Sequence, residues 1–116
     1  MSLAEWMTSP RNPYFAEAAV NRMWSYFFGR GFVNPVDDFR ITNPPTHSAL
    51  LRASAMDFQK HGYDLKHLFR VILQSAIYQA SHVPNESNKA DTSNYSRAYS
   101  RPLDAEVLWD AINQFA

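Results

Sequence analysis

The chain has 116 residues, in which eleven Lys and Arg balance eleven Asp and Glu, and it contains no cysteine. Zero formal net charge leaves no basic surplus for counterion-release binding, which argues against nucleic acid or an anionic membrane as the main partner. Without cysteine there are no disulfides, no thiolate metal sites and no covalent haem attachment within these residues.

The length fits one domain, and the 15% aromatic content supplies large apolar surface for a core that needs no metal or disulfide. Residues 1–11 read as a lead-in: Met1-Ser2-Leu3 resembles an expression scar, and Leu3–Met7 suits a minor helix stopped by Ser9-Pro10. Trp6 is expected to pack back on the core. Residues 12–116 then form a single helical domain.

The strongest element follows. Asn12 is a good N-cap, and Pro13 fits the first helical position because its missing N–H has no intrahelical partner there. Ala16, Val20, Met23, Trp24 and Phe27 recur at helical spacing, so a helix over about 13–28 carries one continuous apolar stripe. Gly29 suits the left-handed position that ends it, with Phe32 folding back over the last turn.

Residues 29–46 are rich in Gly, Pro, Asn and Asp, which break regular structure. Their apolar members Phe32, Val33, Val36, Phe39 and Ile41 predict a long ordered loop pinned to the core. Thr46 reads as the N-cap of a helix over about 47–61, with Gly62 closing it. Asp64 caps the next helix, from Leu65 to about Gln79, whose broad apolar face includes Leu68, Phe69, Ile72, Leu73 and Ile77.

From Ser81 to Ser100 the composition turns polar, which predicts a mobile surface loop. Pro102 opens a final helix whose stripe is Leu103, Val107, Leu108, Ala111, Ile112 and Phe115. That helix runs to the end of the chain, so the sequence reads as a piece of a longer protein. No apolar run approaches the roughly 20 residues of a membrane span.

Read together, NPYFAEAAVNRMWSYFFGRGFV, DDF, NPPTH, GYDLKHLFRVILQSAIYQAS and RPLDAEVLWDAI resemble the domain of unknown function 1553, a planctomycete-type C-terminal domain. The resemblance runs from Asn12 to Ile112. It implies a module of large exported or envelope proteins, in which cytochrome-c-like or carbohydrate-binding domains share the chain. It carries over no catalytic residues. Two departures stand out: Ser48 and Ala49 replace the Pro and acidic residue that the family favours after NPPTH, and Arg101-Pro102 leaves one cation where the family favours a basic pair.

Few side chains suggest chemistry. Asn21 and Arg22 lie beside the apolar stripe; Arg22 either holds an anion in a cleft or pairs internally with Asp38 or Glu106. Asp37 and Asp38 are adjacent, so their side chains diverge, and their more ordinary use is to satisfy loop N–H groups. His47 stands at a helix start near the Asp pair. The four histidines form no i, i+4 pair and no H-E-x-x-H, so no metal site is assigned. Ser75 and Ser81 lack a nucleophile elbow. Glu106 and Asp110 lack the Glu-x-x-His partners of a di-metal site. The sequons at Asn85 and Asn94 match by a short pattern alone.

The expectation is therefore an all-α bundle of four main helices and a minor one, with no cofactor of its own. Two functions compete. One is a non-catalytic interaction module that packs on other domains of its parent protein. The other is part of a hydrolase-like enzyme acting on saccharides or sulfated polymers, with Arg22, Asp37, Asp38 and His47 in one cleft.

Overall fold

The computed structural model describes residues 2–9 and 11–115. Among the described residues it is all-α, with five helices and no strand. They are α1 (Leu3–Met7), α2 (Pro13–Phe28), α3 (Ser48–Lys60), α4 (Leu65–Gln74) and α5 (Ala105–Phe115).

The start of α2 follows from its capping chemistry. The Asn12 side chain accepts a hydrogen bond from the Tyr14 amide at 3.0 Å, and Pro13 occupies the first turn. At the other end Gly29 takes φ 75°, a left-handed conformation that a side chain would strain, and its N–H closes on the Ser25 carbonyl. Ala16, Val20 and Trp24 are buried along one face. They meet Leu51, Ala55 and Phe58 of α3 and Leu68 and Ile72 of α4 in the core, which Phe32, Val33 and Tyr95 complete from the loops.

Three boundaries differ from the sequence expectation. Helix α5 begins at Ala105 instead of Pro102, which leaves Leu103 outside the helix and exposed. Helix α4 ends at Gln74 instead of Gln79, because Ser75 turns extended (ψ 145°) and its hydroxyl donates to the Ile72 carbonyl at 2.7 Å. The same hydroxyl accepts from the Tyr78 amide at 3.2 Å, so a serine competes locally with the helical ladder. Thr46 is not the cap of α3. That position falls to His47, which makes no side-chain cap bond, while the Thr46 amide and hydroxyl both point at the Phe32 carbonyl.

The loop after α2 is pinned through Phe32, Val33 and Phe39, but Ile41 is 99% exposed and anchors nothing, and a buried side chain organises the rest. Asn21, fully enclosed on α2, donates through Nδ2 to the carbonyls of Val33 (3.1 Å) and Val36 (2.9 Å) and accepts the Val33 amide on Oδ1 (3.0 Å). Its carboxamide lies so close to Gly31 that a Cβ there would sit 2.7 Å from Oδ1. Glycine at this position is thus a packing requirement.

The polar segment 81–100 is also structured. Asp91 accepts hydrogen bonds from the Ser93, Asn94 and Ser96 amides and from the Ser96 hydroxyl. Tyr95 is buried against Trp24, Phe28 and Phe32 and donates its hydroxyl to the Arg30 carbonyl at 3.1 Å. A mobile loop was the compositional expectation; one buried tyrosine and one carboxylate knot hold it down instead.

Outside this core lie α1 and α5. Trp6 is half exposed and does not join the core. Helix α5 buries none of its side chains. The molecule is correspondingly extended: its radius of gyration is 16.5 Å, against about 13 Å for a compact domain of this length.

Candidate functional site

The polar residues singled out in the sequence take separate places. Asn21 is consumed by the loop staple. Arg22 pairs with Asp37, not with Asp38 or Glu106, and the pair is largely solvent-exposed. The Asp37 carboxylate raises the Arg22 pKa by hydrogen bonding and charge. Asp38 instead receives Nε and Nη2 of Arg40 at 3.0 and 2.7 Å, and its carbonyl accepts Asn43 Nδ2. The neighbouring carboxylates therefore diverge onto two different arginines.

His47 lies at the other end of the loop. Its Nδ1 is 3.2 Å from Thr46 Oγ1, and its ring packs against Phe32 and Tyr95 at 6.3 and 5.8 Å between centroids. Glu106 sits in the exposed first turn of α5.

The surface has two grooves near these groups. One, of about 470 Å³, runs between α2 and the α3–α4 joint, with an apolar floor of Phe15, Met23, Phe58 and Leu65 and the Arg22–Asp37 pair at its rim. A second, of about 260 Å³, lies between Tyr14 and Glu17 of α2 and the Phe39–Pro45 stretch, with Arg40 and Arg52 in its walls. Neither lining includes Asp38 or His47.

A denser polar cluster forms where α3 meets α4. Asp57 lies in the last turn of α3 and His61 is the C-cap residue one turn on, so they share a face. The chain then reverses through Gly62 (φ 65°) and Tyr63 (φ 61°), with the Tyr63 amide closing on the Phe58 carbonyl at 2.9 Å. Tyr63 tolerates its left-handed backbone because its ring is wedged between Phe15 and Phe58 and its hydroxyl donates to the Thr8 carbonyl at 3.0 Å.

Asp64 caps α4 by accepting the Lys66 amide at 2.8 Å; backbone hydrogen bonds from His67 and Lys66 lower its pKa. This reversal delivers His67 onto Asp57, with Nε2 2.7 Å from Oδ2. His61 Nδ1 lies 3.3 Å from Asp57 Oδ1 and 2.9 Å from the Asp57 carbonyl. The two imidazoles stack at 3.7 Å with an interplanar angle of 21°.

A search for histidine pairs misses this cluster because one member is an aspartate and another belongs to the next helix. The Asp57-x-x-x-His61 spacing was the available signal. Only the tight turn at Gly62 and Tyr63 adds His67.

Elsewhere, burial pushes the Tyr95 hydroxyl up to about 12 and raises Tyr99 as well. Burial also acts to raise Asp91, but the Ser96 hydroxyl and the three amides outweigh it and hold the carboxyl well below its usual range.

The family model described as PSD1, protein of unknown function (DUF1553), matches residues 1–116. No curated protein matches the chain. No solved structure matches it either.

Proposed function

This chain belongs to the PSD1 family of proteins of unknown function (DUF1553), and from that premise we propose that it is a non-catalytic helical interaction module. The observation that carries the reading is α5. Leu108, Ala111, Ile112 and Phe115 fall within about 100° of one helical face, yet Ile112 is 53% and Phe115 93% exposed. Trp109 adds a further exposed aromatic ring. An isolated helix of eleven residues is marginal in water. Such a helix gains its stability by burying its apolar face, and a contiguous exposed patch of this kind marks an interaction surface.

In this proposal the occupant is another domain of the same polypeptide, a planctomycete-type exported or envelope protein, with a cytochrome-c-like domain as the partner the family resemblance favours. Haem chemistry would belong to that neighbour. Zero net charge supports an apolar mode of docking over an electrostatic one. An enzyme cleft for saccharides or sulfated polymers is less well supported, since Arg22 and Asp38 are each already paired.

Amide hydrogen exchange tests the proposal, with α5 followed in this chain alone and in the longer polypeptide. Residues 108–115 should be protected only in the longer polypeptide, and Ile112→Asp should abolish that protection. In the chain alone the same variant should change stability by no more than about 0.5 kcal/mol, because Ile112 lies outside the core. Equal exchange in both settings would overturn the reading.

A further inference from the structure

We infer that Asp57, His61 and His67 form a binding site for a divalent transition-metal ion of the zinc type, clamping α3 to α4. One ligand atom from each of the three residues lies within 4.8 Å of the other two. A tetrahedral zinc with bonds of about 2.0–2.1 Å places its ligands roughly 3.4 Å apart, so small rotamer adjustments close the set around one ion. The 3.3 Å between Asp57 and His61 already matches that spacing, and the 2.7 Å hydrogen bond from Asp57 to His67 lengthens as an ion takes the place of its proton.

The donor set selects the metal class. Two imidazoles and one carboxylate suit zinc and its late first-row neighbours, whereas calcium and magnesium prefer all-oxygen ligation. Three protein ligands leave at least one coordination position for water or another small donor. The side chains are 41%, 42% and 23% exposed for Asp57, His61 and His67, so an ion can enter from solvent.

The backbone prepares this arrangement. Asp57 and His61 are fixed on one helical turn, and the left-handed residues 62 and 63 aim α4 back so that its first turn carries His67 over them. For His61 Nδ1 to ligate, its contact with the Asp57 carbonyl opens and Nε2 carries the proton. A simple hydrogen bond explains the contact between Asp57 and His67. It does not explain why a second imidazole stacks on the first at 3.7 Å beside the same carboxylate. This site stands independently of the reading of α5.

The test is titration of the purified chain with zinc chloride, followed by calorimetry, thermal melting and the histidine ring resonances. One zinc ion should bind per chain, raise the melting temperature and shift the rings of His61 and His67 while leaving His47 and His82 in place. Magnesium and calcium chloride should do none of this. His61→Gln and His67→Gln should each weaken zinc binding at least about tenfold, the loss seen even when an outer-shell partner of a metal site is removed. The ring resonances of the unmutated chain decide the matter if a variant fails to fold. Absence of saturable zinc binding, shifts confined to His47 or His82, equal binding of magnesium, or unchanged affinity in folded variants would each overturn the site.

Discussion

Two long irregular segments, residues 29–46 and 81–100, are held in place by different devices. The first is stapled from outside: Asn21, buried on α2, bonds three backbone groups of the loop through one carboxamide. The second is largely self-supporting. Asp91 gathers the amides of its own neighbours near solvent, and Tyr95 plugs the segment into the aromatic cluster of Trp24, Phe28 and Phe32, with Tyr99 packed beside it. A buried polar group with every partner in place fixes one backbone path, whereas a near-surface knot keeps the alternative of water at little cost. The first loop should therefore be coupled to global stability. The second should be coupled to it chiefly through Tyr95, its one buried tyrosine.

Removing the staple should show the largest effect. Asn21→Ala leaves the Val33 amide and two carbonyls without their partner beneath the loop, and unsatisfied buried groups cost about 1–3 kcal/mol each. We expect a loss of about 3 kcal/mol in denaturant unfolding. A loss below about 1 kcal/mol would mean that water or a neighbouring side chain replaces the carboxamide, and the comparison between the loops would break.

An intermediate effect is expected at the plug. Tyr95→Phe keeps the buried ring and removes only the hydroxyl bond to the Arg30 carbonyl, so the loss should be about 1 kcal/mol. Unfolding should remain a single transition for the whole chain. If the 81–100 segment instead loses its exchange protection while α2 keeps its own, the tyrosine hydroxyl and not its ring is the main anchor.

The smallest effect belongs to Asp91, and it depends on pH. Its carboxyl is held below the ordinary range in the fold, so its stabilising contribution is full above about pH 4, the unfolded range. It falls away as pH drops from there towards the folded value. Exchange protection of the Ser93, Asn94 and Ser96 amides should weaken over that acid interval before the helical core opens. Asp91→Asn should remove this pH dependence and cost no more than about 1 kcal/mol at neutral pH, since solvent screens the site. Simultaneous opening of α2 would show that the two loops are less separate than their anchors imply.

Helix positions were legible wherever local chemistry decides them. Asn12-Pro13 and Gly29 bracket α2 at the expected residues, and Asp64 starts α4 where its capping role predicts. Failures occurred where a side chain had a choice of partners. Thr46 spends its hydroxyl on Phe32, and Ser75 turns its own back on the helix. Arg22 meets Asp37 because adjacent carboxylates diverge, and composition cannot say which of the two arginines each will find. For the same reason the polarity of residues 81–100 concealed the burial of Tyr95, one of two tyrosines among small polar neighbours.

By itself, then, the sequence determined the helical class, the ends set by caps and glycines, and the apolar faces that must find cover, since these depend on residues within a turn or two of each other. Tertiary structure alone decided that the carboxamide of Asn21 belongs to the loop, that His67 lands beside Asp57 and His61, and that the face of α5 stays outside the core. Those outcomes depend on the direction in which the chain returns. Residues far apart in sequence acquire a shared chemistry only once two turns, at Gly29 and at Gly62–Tyr63, have set that direction.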